Sequence, residues 1–285
     1  MPINNKKLSD IIKIALDEDC AFNDITSDLT IAENSQIAFE IKTREEIIFC
    51  GKEIIKEVFT SLKKSPKFKN SKITLEIFSN DGDKIKAGKI IAKGQGDAKL
   101  ILSGERVILN LIQHLSGVAS LTNQFVKKLN NKKITILDTR KTIVGLRDLQ
   151  KYAVVAGGGK NHRFNLSDMI LIKDNHIAAA GSVSKALALA KKSDKKIEIE
   201  CDNFKQVFES IKSKPDIIML DNMSAAEIKK CSEIIRKNSK KTKIEISGGI
   251  NLDNIKNFAK LDIDFISIGL LTHSARAVDI GLDVL

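Results

Sequence analysis

The chain has no tryptophan, one tyrosine and only three prolines in 285 residues. Its twelve phenylalanines do not interleave with the basic runs, which weakens any reading as a nucleic-acid surface. Cysteine is scarce: Cys20, Cys50, Cys201 and Cys231 form no CxxC pair, which excludes a cysteine zinc ribbon and fits reduced thiols in a cytoplasmic protein. The four histidines show no HExxH spacing. No apolar run approaches the roughly 18 residues of a membrane span. The start, "MPINNKKLSDIIKIALDED", has no signal-peptide core and instead predicts a short helix with Ser9 as N-cap.

Positive charge is abundant, with a net formal charge of +11. Runs such as "KKSDKK" and "IRKNSKKTK" account for much of it as a solvated lysine face. A nucleic-acid surface is the rival reading, and a salt-dependent gel shift would reveal it. A third reading concerns only the arginines and lysines beside strand ends, which would suit a small polyanion.

The length allows one large domain or two small ones. In the first hundred residues, "QIAFEIKTREEIIFCG" predicts two strands around a turn and "KEIIKEVFTSLKK" a helix. "KITLEIFSNDGDKIKAGKIIAKGQGDAKL" predicts strands punctuated by Asp-Gly and Gly turns. That piece resembles the hairpin of biotin- or lipoyl-carrier modules, but no distinctive lysine tip is present, so a plain β unit is expected. "GERVILNLIQHLSGVASLTNQFVKKLN" has helical spacing throughout.

From residue 134 six short apolar runs follow in order: "ITIL", "MILI", "IEIE", "IIML", "IEI" and "FISI". Helix-like segments separate most of them, which predicts parallel βαβ units with a sheet buried on both faces. The room available suits an incomplete barrel of six or seven strands, since a full one takes about 250 residues. The tail "AVDIGLDVL" alternates apolar and smaller residues, which predicts a strand that leaves the barrel and pairs with the N-terminal domain.

Each predicted strand ends in polar or glycine residues: Asp138 to Lys141, Lys173 to His176, Glu200, Asp221-Asn222, Ser247-Gly248-Gly249 and Gly269. Ligands of α/β proteins bind at such C-terminal strand ends. The cations Arg106, Arg140, Lys141, His162, Arg163 and Lys173 point to a ligand with several anionic groups, because guanidinium forks match carboxylate and phosphate. Glu200 and Asp221 would bind sugar hydroxyls, hold Mg²⁺ or act as a base; a salt bridge to a neighbouring lysine is the plainer role. Glycine-rich ends on the last two strands suit a phosphate. The run Gly157-Gly158-Gly159 suits a loop or lid as well as a ligand cradle. Lys173 could also form a Schiff base, as in an aldolase, but one sugar phosphate would not require the other cations. His176 and His273 are expected to be structural.

The segments "DTRKT", "GGGKNHRFNLSDMILIKDNHI", "IEIECD", "IIMLDNMS", "EISGGI" and "ISIGLLTHSARAVDIGLD" resemble, in order, the motifs of the quinolinate phosphoribosyltransferases, also called nicotinate-nucleotide pyrophosphorylases (carboxylating). "EDCAFNDITSDLTI" and "SGERVILNLIQHLSGVAS" are similar to that family too, so the resemblance covers nearly the whole chain. It implies an α/β fold with an N-terminal α/β sandwich, 1–107 with 276–285, and an open barrel of about seven strands, 108–275. It implies a homodimer in which one subunit's N-terminal domain caps the other's barrel mouth; assembly beyond the dimer stays open. It implies transfer of phosphoribose from phosphoribosyl pyrophosphate to quinolinate, with Mg²⁺, giving nicotinate mononucleotide, pyrophosphate and CO₂.

By the same resemblance Arg140, His162, Arg163 and Lys173 surround quinolinate, and Arg106 arrives from the partner. Lys141 faces the phosphorylated substrate, Glu200 and Asp221 hold ribose hydroxyls and Mg²⁺, and Ser247, Gly248, Gly249 and Gly269 hold the 5′-phosphate. Lys141, Lys173, Glu200 and Asp221 form the implied catalytic set. The chain departs from the family at Val144, where proline is expected, at Asn23 and Asn165, where glycine is expected, and at Lys99, where arginine is expected. A phosphoribosyltransferase-like protein with another acceptor is the alternative within reach of the same motifs.

Overall fold

The computed structural model describes residues 3–285; the first two residues of the opening segment lie outside it. Its residues divide into two compact units. The first comprises the chain up to Asn123, with Ile143–Gly158 and Ser274–Leu285; the second comprises Gln124–Thr142 and Gly159–His273.

The first unit begins with α1 (Asn5–Glu18), whose cap is Asn4 and not Ser9: the Asn4 side chain accepts the Lys7 N–H. The buried stripe Leu8, Ile12, Leu16 starts one turn earlier than the sequence reading allowed, which places Ser9 inside the helix. Then come α2 (Ile25–Thr30), β1 (Gln36–Thr43), β2 (Ile47–Ile48), α3 (Lys52–Leu62), β3 (Ile73–Ile77), β4 (Lys84–Ile85) and β5 (Ile90–Asp97). The long helix α4 spans Ala98–Leu129, so the boundary expected after residue 107 falls inside one continuous helix. The short helix α5 (Arg147–Ala156) also belongs to this unit.

The strands form an antiparallel sheet in the order β12-β1-β5-β3, where β12 is the C-terminal strand Ile280–Val284. The tail therefore pairs with the N-terminal sheet, as its alternation predicts; Ile41 faces Leu282 in the register. Helix α3 buries Ile54, Ile55, Val58, Phe59 and Leu62, and the Phe59 ring meets Phe39 of β1 at 6.2 Å between centroids. This apolar layer between helix and sheet is the core of the unit.

Gly157 caps α5, and a Cβ there would sit 2.4 Å from the Ala119 carbonyl oxygen of α4. The first glycine of the run thus serves close helix packing, a role that the lid and cradle readings did not include.

The second unit holds β6 (Thr135–Leu137), β7 (Ile170–Ile172), α6 (Asp174–Ala180), α7 (Val183–Ala190), β8 (Ile197–Cys201), α8 (Phe204–Ser213), β9 (Ile217–Asp221), α9 (Ala225–Asn238), β10 (Lys243–Ser247), β11 (Phe265–Ser267) and α10 (Leu270–His273). All six apolar runs are strands, joined in parallel in the order β6-β11-β10-β9-β8-β7. A seventh segment touches β6 through a single parallel bridge between Leu137 and Lys160. Among the described residues no ladder joins β7 to that segment, so the barrel is open. Between β10 and β11, where a helix was expected, only a 3₁₀ turn forms at Ile255–Phe258. The strands are buried nearly throughout, as near-continuous Ile and Leu runs require of a sheet covered on both faces.

One polar network ties the far end of this sheet. The Asp264 carboxylate accepts from Arg236 Nη2 (2.8 Å), Lys243 Nζ (2.8 Å) and the Ile244 amide (2.9 Å). Burial alone would raise its pKa; the bonds from Lys243, Arg236 and Ile244 outweigh that and hold it below the usual carboxylate range. A depressed carboxyl stabilises the fold above its unfolded pKa, and the contribution fades as pH falls through the lower folded value. Asp264→Asn is therefore expected to cost about 1–2 kcal/mol at neutral pH. In urea melts that deficit should shrink as pH drops below the range in which a free carboxyl titrates. A deficit independent of pH would contradict the ionic account.

Candidate active site

The C-terminal ends of the parallel strands open onto a cavity of about 360 Å³. Arg140, Lys141, His162, Arg163, Lys173, Glu200, Asp221 and Ser247 all line it, so eight of the residues singled out in the sequence meet at one place. Its volume lies within the range of small-molecule sites. Gly248, Gly249 and Gly269 lie in the turns next to that lining. Arg106 does not join them: it lies exposed on α4 in the first unit.

The cationic side is built on β6 and on the segment beside it. Asp138, fully buried at the end of β6, accepts the His162 amide (3.0 Å) and the Asn161 side-chain amide (2.6 Å). With the Leu137–Lys160 bridge, these bonds seat residues 160–162 alongside Arg140. Arg163 donates through Nη1 to the Met169 carbonyl (3.1 Å).

Arg140 Nε and Arg163 Nε are both buried with no hydrogen-bond partner among the described residues. Burial, and then the charge of Arg140, push the Arg163 pKa down; Glu198 and Asp168 oppose the shift. Two guanidinium groups held together with buried donors unused are unfavourable alone and become favourable once an anion lies between them. Lys141 is fixed through its carbonyl, which accepts the Thr272 hydroxyl (2.7 Å), and its side chain passes close to Gly269.

The carboxylate side lies at the ends of β8 and β9. Lys173, just after β7, is ion-paired with Glu200. The plainer sequence reading, a lysine–carboxylate pair, is therefore present, and it leaves Lys173 as an ammonium partner, unlike the free amine of a Schiff-base enzyme. Burial raises the Glu200 pKa; Lys173 opposes this, while Asp221 and Asp202 add to it. Oxygens of Glu200, Asp202 and Asp221 lie within 4.8 Å of one another. An all-oxygen donor set of this kind fits a hard divalent cation such as Mg²⁺.

Asp202 was missed because it lies one residue beyond the strand end. His176 is structural, as expected: its Nδ1 accepts the Lys173 amide (3.0 Å) and so fixes the chain at that lysine.

The glycine turn after β10 has a strict requirement. Gly248 takes φ +89°, and a Cβ there would lie 2.1 Å from Asn222 Oδ1. Asn222 in turn donates to Asp221 through its side chain (2.5 Å) and through its backbone to the Ser247 carbonyl (2.9 Å). The turn therefore sets the orientation of Asp221 as well as offering its own backbone. Gly249, at φ +61°, faces open space.

Beneath the mouth lie two carboxylates that sequence reasoning did not single out. Glu198 of β8 and Glu245 of β10 are fully buried, and none of their four side-chain oxygens has a hydrogen-bond partner among the described residues. His162 Nε2 lies 3.0 Å from one Glu198 oxygen and 3.5 Å from one Glu245 oxygen. Burial, and then the neighbouring Glu198 charge, raise the Glu245 pKa to about 8, with His162 opposing.

An open parallel α/β barrel whose strand ends gather cations, carboxylates and a glycine turn around one cavity defines an α/β protein with a mouth for a small polyanion. The sequence comparisons make this specific. Residues 24–116 match the N-terminal domain, and residues 118–283 the C-terminal domain, of quinolinate phosphoribosyl transferase. The chain belongs to that family.

It is 43% identical over 283 residues to a probable nicotinate-nucleotide pyrophosphorylase (carboxylating) of Methanocaldococcus jannaschii, covering 96% of each chain. It is 41% identical to the Bacillus subtilis protein of the same description, covering 99% of this chain and 95% of that one. The solved nicotinate-nucleotide pyrophosphorylase of Francisella tularensis superposes with a TM-score of 0.90 at 40% identity, over 100% of this chain and 98% of that one.

Proposed function

We propose that this protein transfers phosphoribose from phosphoribosyl pyrophosphate to quinolinate and decarboxylates the adduct, giving nicotinate mononucleotide, pyrophosphate and CO₂ for NAD synthesis. The observation that carries this reading is the pair of buried, unpartnered guanidinium nitrogens on Arg140 and Arg163. A pyridine dicarboxylate supplies the acceptors they lack. Opposite them, Glu200 and Asp221 lie where ribose hydroxyls would bind, and the Ser247-Gly248-Gly249 turn with Gly269 offers backbone donors to the 5′-phosphate.

The chemistry asks mainly for positioning and electrostatics. The ring nitrogen of quinolinate attacks C1 of the ribose as the bond to pyrophosphate breaks, and positive character builds on that carbon. Arg140 and Arg163 hold the acceptor by its carboxylates and orient the nitrogen. Lys141 and Lys173 offset negative charge on the phosphorylated substrate and its leaving group. Glu200, released from Lys173 when substrate enters, and Asp221 stand near the developing positive charge. Mg²⁺, held by Glu200 and Asp221 with Asp202 beside them, would supply further neutralisation of the pyrophosphate. The 2-carboxylate then leaves as CO₂, its bonding electrons stabilised by the pyridinium, and C2 takes a proton from solvent. No covalent enzyme intermediate is needed. The free cysteines suit a reducing cytoplasm.

Incubation with phosphoribosyl pyrophosphate, Mg²⁺ and quinolinate is expected to give pyrophosphate and nicotinate mononucleotide in equal amounts, with nothing formed from nicotinate. No pyrophosphate release with quinolinate would overturn the reading.

The working unit is a homodimer in this proposal, with Arg106 of one copy completing the cavity of the other. Arg106→Ala and Lys173→Ala should each be inactive alone. Mixed under subunit exchange, they should recover about a quarter of wild-type activity, since half the dimers are hybrid and each hybrid has one intact site. No recovery despite demonstrated exchange would place Arg106 outside the partner's site.

A further inference from the structure

We infer that Glu198 and Glu245 are positioning residues for the acceptor: they hold the His162 ring, which in turn fixes Arg163 against the acceptor's carboxylate. This rests on the quinolinate reading above. The two glutamates lie on the inner face of the sheet. Strand alternation puts Glu198 on the same face as Glu200, and Glu245 on the same face as Ser247, each about 7 Å deeper. They flank β9 from either side, since β8 and β10 both pair with it. The cavity lining thus has a second tier that substrate does not touch.

His162 connects the tiers. Its Nδ1 accepts the Arg163 backbone N–H at 2.8 Å, so the ring proton resides on Nε2, the nitrogen 3.0 Å from Glu198 and 3.5 Å from Glu245. The backbone amide of His162 is held by Asp138 at 3.0 Å. Nδ1 is thus bonded to the Arg163 backbone, and Nε2 faces the carboxylate pair. The ring does not donate to the ligand; it is a strut between the carboxylate pair and Arg163. This changes the role expected for His162, which the sequence placed among the cations around the acceptor.

Carboxylates buried so fully, with the His162 ring as their close ionic neighbour, lower stability compared with apolar side chains of the same size. The pair shares its negative charge, since burial and Glu198 favour a proton on Glu245, and that charge is balanced by what lies above it. Glu198 acts favourably on Arg163, while Arg140 acts unfavourably. The pair lets two guanidinium groups stand side by side before the acceptor arrives, and it ties the aim of Arg163 to the barrel interior. At the phosphoribosyl end, Asp221 and the Gly248 turn are tied through Asn222 instead.

The test uses the isosteric variants Glu198→Gln and Glu245→Gln in the full-length protein. Wild-type turnover of quinolinate is the control, and its failure would sink the functional reading and not this one. For either variant we expect KM for quinolinate to rise about 10-fold with kcat within about threefold. KM for phosphoribosyl pyrophosphate should be unchanged and the melting temperature equal or higher. Glu245→Asp, which keeps the carboxyl group, should recover part of the quinolinate affinity. Equal rises in KM for both substrates, or no change in either, would overturn the assignment. So would a stoichiometric metal in the wild type that is lost in both variants, since the triad would then be a metal centre.

Should one variant not fold, ¹⁵N spectra of the other carry the test. The His162 ring is expected to be protonated at Nε2 in the wild type and to lose that strict preference in the variant. Identical ring signals in both would overturn the strut.

Discussion

Replacing Arg163 by alanine should leave the folded protein about as stable as wild type while removing nearly all turnover. Within the protein this side chain gains little: one hydrogen bond to the Met169 carbonyl and attraction from Glu198 and Asp168, set against burial and repulsion from Arg140, which outweigh that attraction. Deleting it forfeits about 1 kcal/mol of bonding and relieves unfavourable charge of similar size. The acceptor complex behaves differently. Losing a forked guanidinium–carboxylate contact in a half-buried site costs about 3–4 kcal/mol, or about 10²–10³-fold in kcat/KM. Arg140→Ala should behave the same way, for the same reason. Lysine at either position should rescue poorly, because a point charge does not reproduce the planar fork. Thermal melts and kcat/KM for quinolinate, measured on the same preparations, check this. Near-normal turnover in either variant would sink the assignment of the cationic wall.

Gly248→Ala should damage activity and stability together. The residue holds φ +89°, and its new methyl group would lie 2.1 Å from Asn222 Oδ1. A non-glycine residue in this region costs about 1 kcal/mol or more in strain, and the displaced Asn222 adds to it. Asn222 orients the Asp221 carboxylate at 2.5 Å, so the disturbance reaches the catalytic side of the cavity. A loss of about 2–3 kcal/mol in stability is expected, with turnover down about 100-fold. Asn222→Gly in the same chain removes the side-chain clash but leaves the backbone nitrogen of residue 222 only 2.8 Å from the new methyl group, so it should recover part of the stability without recovering activity. Restored activity in the double variant would show that Asn222 has no part in placing Asp221.

The strands and their polar ends were legible because the physics is local. A short Ile and Leu run that stops at Asp, Lys or Gly states both its burial and its boundary, as "IIMLDN" does at β9. The alternating tail was legible for the same reason. Ser9 was misplaced because several polar residues near a chain start can cap a helix, and only the earlier buried contact of Leu8 decides for Asn4.

Glu198 escaped notice inside "IEIE", where the strand seemed apolar and only its last residue seemed functional. The signal was present: a carboxylate two residues before Glu200 shares its face. What the sequence could not show is that Glu198 and Glu245, 47 positions apart along the chain, converge on one histidine. That convergence depends on the strand order β10-β9-β8. The residue type alone groups His162 with the cations; the Arg163 amide on its Nδ1 is what ties the ring to the chain beside Arg163.

The central claim is that the mouth reads both carboxylates of its acceptor and expels one of them. Quinolinate labelled separately at its 2- and 3-carboxylates tests it most directly, in the presence of Mg²⁺ and phosphoribosyl pyrophosphate. The account predicts that the 2-carboxylate label is released as CO₂, one for one with nicotinate mononucleotide, while the 3-carboxylate label stays in the nucleotide. Nucleotide formed without CO₂, or no product from folded protein, would contradict it.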